Sequence, residues 1–199
     1  MTLWFATGNT HKKTELAALL SGHRIKIPQE GGILDFNPQE TGKTFLDNAL
    51  IKAQALYRLL KEPVIADDSG LCVDALAGRP GIYSARYGAG PGENLSASAR
   101  NTLILQELGD RPRRSARFVC AMVALLSRDR FFAVQETLEG EILREERGGG
   151  GFGYDPILYI PALGRTVAEL TAEEKNRISH RGKAGRSLGA LLSGGTCGS

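Results

Sequence analysis

Five short segments of the 199-residue chain carry side chains suited to handling a polyanion. The first is Ala6-Thr7-Gly8-Asn9-Thr10-His11-Lys12, between an apolar run at Leu3–Ala6 and the start of a helical pattern. A strand–turn–helix junction presents backbone N–H groups and the positive end of a helix dipole, which suits phosphate. Thr7 and Asn9 add hydrogen-bond donors and Lys12 adds a charge. The segment is not a P-loop, because the second glycine of G-x-x-x-x-G-K-[ST] is missing. A plain helix cap at Asn9 is the competing reading. The second segment is Asp67-Asp68-Ser69-Gly70, which closes Val64-Ile65-Ala66. Carboxylates at a strand end hold Mg²⁺, and one of them can take a proton from an attacking water. Strand neighbours point to opposite faces, so this reading asks Ser69-Gly70 to break the strand and bring both acids to one edge. A simple Asp-Ser-Gly turn competes with it. Glu40, before Thr41-Gly42, is a candidate third oxygen ligand.

The third segment is a long helix over Thr44–Lys61. At ~100° per residue, Lys43, Asp47, Gln54, Arg58 and Lys61 share a solvent face, with Phe45, Ala49 and Leu56 opposite. Lys52 falls in the apolar face, one turn after Asn48. An unpaired buried lysine is costly, so Lys52 either snorkels or borders a polar cleft, and Asn48 favours the cleft. The fourth is Gly148-Gly-Gly-Gly-Phe-Gly-Tyr-Asp-Pro156, where Phe152 offers a stacking face and Asp155 two acceptors, a way to hold a nucleobase. A tight loop with Phe152 folded into the core is the alternative. The fifth is Glu173–Gly182, with Lys175, His180 and Arg181 as donors near helix ends. By itself it reads as a solvated basic face.

The elements that must position these groups alternate. Strands are expected at Leu3–Ala6, Arg24–Pro28, Pro63–Ala66, Leu71–Val73 and Ile157–Ile160, with an antiparallel pair at Arg117–Ser127 and Phe131–Leu138. Helices are expected at His11–Ser21, Thr44–Lys61, Glu93–Leu108, Thr171–Ser179 behind a Thr-x-x-Glu capping box, and again after His180-Arg181. Such alternation implies an α/β fold with a mixed sheet. A frayed tail is expected at 193–199, behind one domain over 1–192.

Composition sets outer limits. The chain is 42% hydrophobic and 24% charged, with a net charge of +3, too small by itself to argue for nucleic acid. No apolar run approaches the ~20 residues of a membrane span, and the N-terminus reads as a first strand rather than a signal peptide. Three widely spaced cysteines form no C-x-x-C or zinc pattern, so a reduced, cytoplasmic protein is expected. The basic cluster Arg111, Arg113, Arg114 and Arg117 reads either as a solvated face or as a polyanion contact.

Taken in order, seven segments resemble the inosine triphosphate pyrophosphatase family: Ala6-Thr-Gly-Asn-x-x-Lys12, Glu40-Thr-Gly, Asp47-Asn-Ala-x-x-Lys52, Ala66-Asp-Asp-Ser-Gly-Leu71, Pro80-Gly-Ile-Tyr-Ser-Ala-Arg86-Tyr, Gly151-Phe-Gly-Tyr-Asp-Pro156 and Ser179-His-Arg-Gly182. The resemblance runs from Phe5 to about Leu192. It implies an elongated mixed sheet flanked by helices, two lobes with a central substrate cleft, a homodimer and a Mg²⁺ requirement, with no nucleic-acid or membrane partner. It implies that Thr7, Gly8, Asn9, Thr10, His11 and Lys12, with Lys52, contact the triphosphate. Asp68 would be the general base and a metal ligand, supported by Glu40 and Asp67, and Ser69 would contact substrate. Phe152 would stack on the base, with Gly153, Tyr154, Asp155, Lys175, His180 and Arg181 around it. The implied reaction is hydrolysis of ITP, dITP or XTP to monophosphate and pyrophosphate. Two alternatives stand beside it: a pyrophosphatase for modified pyrimidines, and a non-catalytic nucleotide- or RNA-binding protein. Two small departures accompany the resemblance, a loose four-glycine run at Gly148–Gly151 and Gly185 interrupting the last helix.

Overall fold

Leu3 and Phe5 join one buried cluster while Trp4 and Ala6 join another. Strand alternation therefore feeds two cores, which explains why the run is apolar at every position. The computed structural model describes residues 1–90 and 92–194. Its strands are β1 (Thr2–Phe5), β2 (Arg24–Lys26), β3 (Val64–Val73), β4 (Ser115–Ser127), β5 (Arg130–Ile142), β6 (Leu158–Ile160) and β7 (Arg165–Thr166). Its helices are α1 (Thr10–Leu19), α2 (Phe45–Leu60), α3 (Ala97–Leu108), α4 (Ala172–Ile178) and α5 (His180–Gly194). The strands order as β2-β1-β3-β4-β5-β6-β7 in a mixed sheet. β1 pairs parallel to β2 and β3, and β6 pairs antiparallel to β5 and β7. The expected α/β class and mixed sheet are thus present.

The chain forms two compact units. The first comprises Met1–Asp68, Cys120–Glu136 and the segment from His180 onward. On one sheet face, Leu16 of α1 and Ala184, Leu188 and Leu192 of α5 pack over Leu3, Phe5, Ile65, Cys120 and Met122. On the other, Ala49, Ala53 and Leu56 of α2 cover Trp4, Val64, Ala66 and Val123. Gly185 is no flaw in α5. A Cβ there would lie 2.8 Å from Leu19 Cδ1, so the missing side chain lets α5 close on α1. α2 begins at a capping box in which Thr44 accepts from Asp47 N and Asp47 accepts from Thr44 N, a device worth ~1 kcal/mol. α5 continues through Ser193 and Gly194, two residues into the expected tail. The rest of that tail, 195–199, lies outside the described residues.

The second unit comprises Ser69–Val119 and Thr137–Ser179. Ile104 and Leu108 of α3 pack with Leu71, Phe118, Leu138, Ile142 and Ile157 in a single core. The four-glycine run is tightly seated rather than loose. A Cβ at Gly148 or Gly150 would meet the Ala168 backbone at 2.8 or 2.9 Å, and Gly150 N donates to Ala168 O at 3.0 Å. Three of the four clustered arginines are structural. Arg111 donates to Ala75 O, Arg114 to the carbonyls of Gly109, Ile142 and Leu143, and Arg117 to Asp74 and Glu139.

One expectation for β3 is overturned. Asp67-Asp68-Ser69-Gly70 does not break the strand, which runs unbroken from Val64 to Val73. The register with β1 runs to Phe5↔Ile65, and β4 neighbours β3 on its other side. Pairing with β4 satisfies backbone groups that a turn would leave unpaired, which outweighs the turn preference of Asp-Ser-Gly.

Candidate active site

Because β3 stays extended, Asp67 and Asp68 keep opposite faces of the sheet and do not meet at one edge. Asp67 shares the parity of Ile65 and faces the α1/α5 side; Asp68 shares that of Ala66 and faces α2. Each acid has its own cations. Lys12 Nζ lies 3.1 and 3.0 Å from the two Asp67 oxygens. Arg181 donates to Asp67 Oδ2 from Nε at 3.3 Å and Nη2 at 3.1 Å, and from Nη1 to Glu15 at 2.6 Å. Asp67 is 1% exposed and Arg181 2%. Burial would raise the Asp67 pKa, but Lys12, Arg181 and Lys52 together hold it well below the usual carboxylate range. Burial pushes Lys12 down, against the pull of Asp67.

Asp68 is built differently. Lys52 Nζ donates to Asp68 Oδ1 at 3.0 Å and meets Glu40 Oε1 at 2.7 Å. Asn48, fully buried, donates from Nδ2 to Asp68 Oδ2 at 3.2 Å and accepts from Gly42 N at 2.9 Å. Gly42 has to be glycine there, since a Cβ would sit 2.6 Å from Asn48 Oδ1. Burial pushes Asp68 above its ordinary value, and Lys52 offsets only part of that. Lys52 itself is held above its ordinary value by Asp68, Asp67 and Glu40, which together outweigh its burial. The buried-side lysine of α2 is therefore paired rather than snorkelling.

At the end of β1, Asn9 caps α1 and its side chain accepts from His11 N and Lys12 N. Thr7 Oγ1 accepts from Asn9 N at 3.1 Å. Both the cap and the lysine read from the sequence are present. The parallel pairing Phe5↔Ile65 sets the end of β1 beside the start of β3, so Asp67 and Asp68 come just after the paired residues of β3. Glu15 has no place in the sequence reading. Its spacing of three from Lys12 on α1 is the signal that puts both on one helix face.

The second unit holds a separate constellation. Lys175 Nζ donates to Asp155 Oδ2 at 2.8 Å and sits 4.2 Å from the Phe152 ring centroid. Phe152 N donates to the same Asp155 oxygen at 2.8 Å. Asp155 and Lys175 are both buried. Gly151 has φ +70, and a Cβ there would lie 2.1 Å from Asp155 Oδ2, so only glycine allows this turn. Tyr154 is buried within the fold. Its hydroxyl donates to Ser84 O at 2.8 Å, and burial pushes its pKa up to about 12. Ser84 Oγ in turn accepts from Leu71 N and donates to Gly81 O. The Pro80–Tyr87 segment therefore ties β3 to the turn that holds Tyr154. In this structure Asp67 and Glu15 engage the Arg181 guanidinium. His180 is buried at the start of α5, and Ser69 lies within β3.

Among the described residues, no group of three or more His, Cys, Asp or Glu side chains gathers in a metal-binding arrangement. Glu40 and Asp68 nevertheless converge on one cation, the Lys52 ammonium. Two hard anionic oxygens fit Mg²⁺, which is usually held by one or two carboxylates together with waters and substrate phosphates. Asp67, already filled by Lys12 and Arg181, does not fit that role.

Comparison with known proteins gives one answer throughout. The model of the Ham1 family matches residues 3–191. A dITP/XTP pyrophosphatase of Treponema denticola is 54% identical over 194 residues, covering 98% of this chain and all of the relative. One from Geobacillus kaustophilus is 49% identical, covering 90% of this chain and 88% of the relative. The structure of the Staphylococcus aureus Ham1 protein superposes with a TM-score of 0.89 at 40% identity, covering 98% of this chain and all of its own.

Proposed function

The chain belongs to the Ham1 family, and on that premise we propose that it hydrolyses deaminated purine nucleoside triphosphates (ITP, dITP, XTP) to the monophosphate and pyrophosphate with Mg²⁺. The observation that carries this reading is the convergence of Glu40 and Asp68 on one cation at 2.7 and 3.0 Å, beside the capped start of α1. In the mechanism, Asp68 accepts the proton of a water that attacks the α-phosphorus. The bond from that phosphorus to the bridging oxygen breaks, and pyrophosphate leaves with the electron pair. Lys52 keeps Asp68 ionised against its burial, and Lys12 and Lys52 hold the phosphate charge. Glu40 and Asp68 would hold Mg²⁺, which supplies charge neutralisation and phosphate orientation. Thr7, Gly8, Asn9, Thr10 and His11 offer the backbone amides and side chains of the α1 entry, and Ser69 lies next along β3 for a substrate contact. The Asp67 network supports the site without binding metal.

Base recognition falls to Phe152 as the stacking face, with Gly153 in its turn and with Asp155 and Lys175 at the edge. Hypoxanthine and xanthine carry a 6-oxo acceptor where adenine carries an amino donor. A donor such as Lys175 pairs with the first and leaves a buried donor unsatisfied against the second, a cost of roughly 1–3 kcal/mol. His180 remains a candidate for the same edge. The reading includes the homodimer and cytoplasmic location that the resemblance implies, and sedimentation would test the first. Of the clustered arginines, Arg117 is paired with the Asp74 and Glu139 carboxylates, which lowers the net charge of the patch that favoured RNA, while Arg111 and Arg114 bond neutral carbonyls and keep theirs.

The test is incubation with Mg²⁺ and, separately, ITP, XTP, GTP and ATP, with products separated by chromatography. IMP and pyrophosphate from ITP, with little turnover of ATP and none after chelation, is the expected result; GTP shares the 6-oxo group, so its turnover measures any discrimination at the 2-position. IDP and phosphate, or equal turnover of ATP and ITP, would refute the reading.

A further inference from the structure

Asn101 on α3 takes no part in the chemistry above, yet it is 1% exposed. Its amide nitrogen donates to Gly153 O at 3.2 Å and to Glu146 Oε1 at 2.7 Å. Both partners are acceptors, so the nitrogen must face them. Gly153, with φ +64, follows Phe152 directly. Asn101 thus holds the carbonyl one residue beyond the stacking ring. On the same side of the glycine strap lies a cavity of about 230 Å³, walled by Gly148–Gly153 together with Ser98, Asn101 and Glu146. A glycine wall facing open space gains no side-chain packing there. Hydrogen bonds therefore have to fix the strap on that side. Elsewhere the strap is tied by Gly150 N to Ala168 O and by Tyr154 to Ser84 O; beside the cavity Asn101 ties it at Gly153 O.

We infer that Asn101 is a positioning residue for base recognition: through Gly153 O and Glu146 it fixes the strap that carries Phe152, and so sets affinity for the purine without touching it. The inference rests on the reading of Phe152 as the stacking face. It separates two affinities, because the residues assigned to pyrophosphate, Lys12 and Lys52, belong to the other unit.

The test is calorimetric binding of IMP and of pyrophosphate, each with Mg²⁺, to the wild type, Asn101→Leu and Glu146→Ala. In Asn101→Leu the Kd for IMP should rise about tenfold, the scale of one lost hydrogen bond, while that for pyrophosphate stays within about twofold. The KM for ITP should rise in step with the IMP Kd and kcat should fall less. Glu146→Ala removes an exposed carboxylate and half the tie, and should weaken IMP about threefold. It decides the matter if Asn101→Leu does not fold. Unchanged IMP affinity in the folded variants, or equal weakening of IMP and pyrophosphate, overturns the inference alone. A wild type that binds pyrophosphate but not IMP overturns the stacking reading and the inference with it.

Discussion

Replacing each of two adjacent aspartates by asparagine should give opposite results. Asp67 is buried against Lys12 and Arg181, four donor contacts lying between 3.0 and 3.3 Å. Asp67→Asn keeps the shape but removes the charge. Arg181 retains Glu15, while Lys12, with 16% of its side chain exposed, loses its ion-pair partner. Breaking a buried pair by removing one member costs about 3–5 kcal/mol. At this chain length each kcal/mol lowers Tm by ~2–4 °C, so Tm should fall by on the order of 10 °C. Asp68→Asn relieves a carboxylate whose burial already raises its pKa, and Lys52 keeps Glu40 at 2.7 Å. The relief and one mismatched hydrogen bond nearly cancel, leaving stability within about 1–2 kcal/mol of wild type, while turnover of ITP collapses. Calorimetry from pH 7 to pH 3 adds a signature. The folded pKa of Asp67 lies below its unfolded value, so its contribution is present above about pH 4 and is lost as pH falls toward the folded pKa. The Tm gap between wild type and Asp67→Asn should therefore narrow in acid. Equal Tm losses in the two variants, or an unchanged Tm in Asp67→Asn, would refute the division of roles.

Two further outcomes follow from the same geometry. Phe152→Ala removes the ring over which Lys175 sits and the proposed stacking face. The KM for ITP should rise about 10- to 100-fold, at ~1–3 kcal/mol per stacked base, and an unchanged KM would place the ring elsewhere in the chemistry. In the metal-free protein Asp68 should titrate above the ordinary aspartate value, because burial raises its pKa more than Lys52 lowers it. NMR titration of the carboxyl in the presence of a chelator checks this, and a downward shift would refute the balance argued for Asp68.

Much of the site was legible because its signals are local. The apolar run before Gly8-Asn9, the cap at Asn9 and the buried-face Lys52 each follow from spacing within one element, and each lies where periodicity puts it. The separation of Asp67 from Asp68 was not legible. It depends on whether β3 continues, which neighbouring strands decide and local turn preference opposes. The role of Arg181 was hidden for another reason. Its carboxylate partner lies 114 residues away, and a basic residue near a helix start looks alike whether it meets ligand or protein. The glycine run was misread similarly, since glycines that admit Ala168 and Asp155 are indistinguishable in sequence from glycines that merely loosen a loop.

The charge arrangement bears on the metal. Around β3, four carboxylates (Glu15, Glu40, Asp67 and Asp68) face three cations (Lys12, Lys52 and Arg181). Those cations are already engaged, and the set carries an excess of negative charge. A bare triphosphate brought to such a site meets net repulsion, which partial burial strengthens. On the proposed function, a nucleotide carrying a divalent cation would reverse the balance: Glu40 and Asp68 would hold the metal and Lys52 the phosphate. On that reading the two jobs of a hydrolytic site fall to neighbouring residues of one strand. Asp67, held ionised by its own cations, keeps Lys12 and Arg181 in place. Asp68, balanced between burial and a lysine it shares with Glu40, is the carboxylate that the proposed mechanism asks to take a proton. Strand parity makes this possible, since it gives two adjacent acids two different environments.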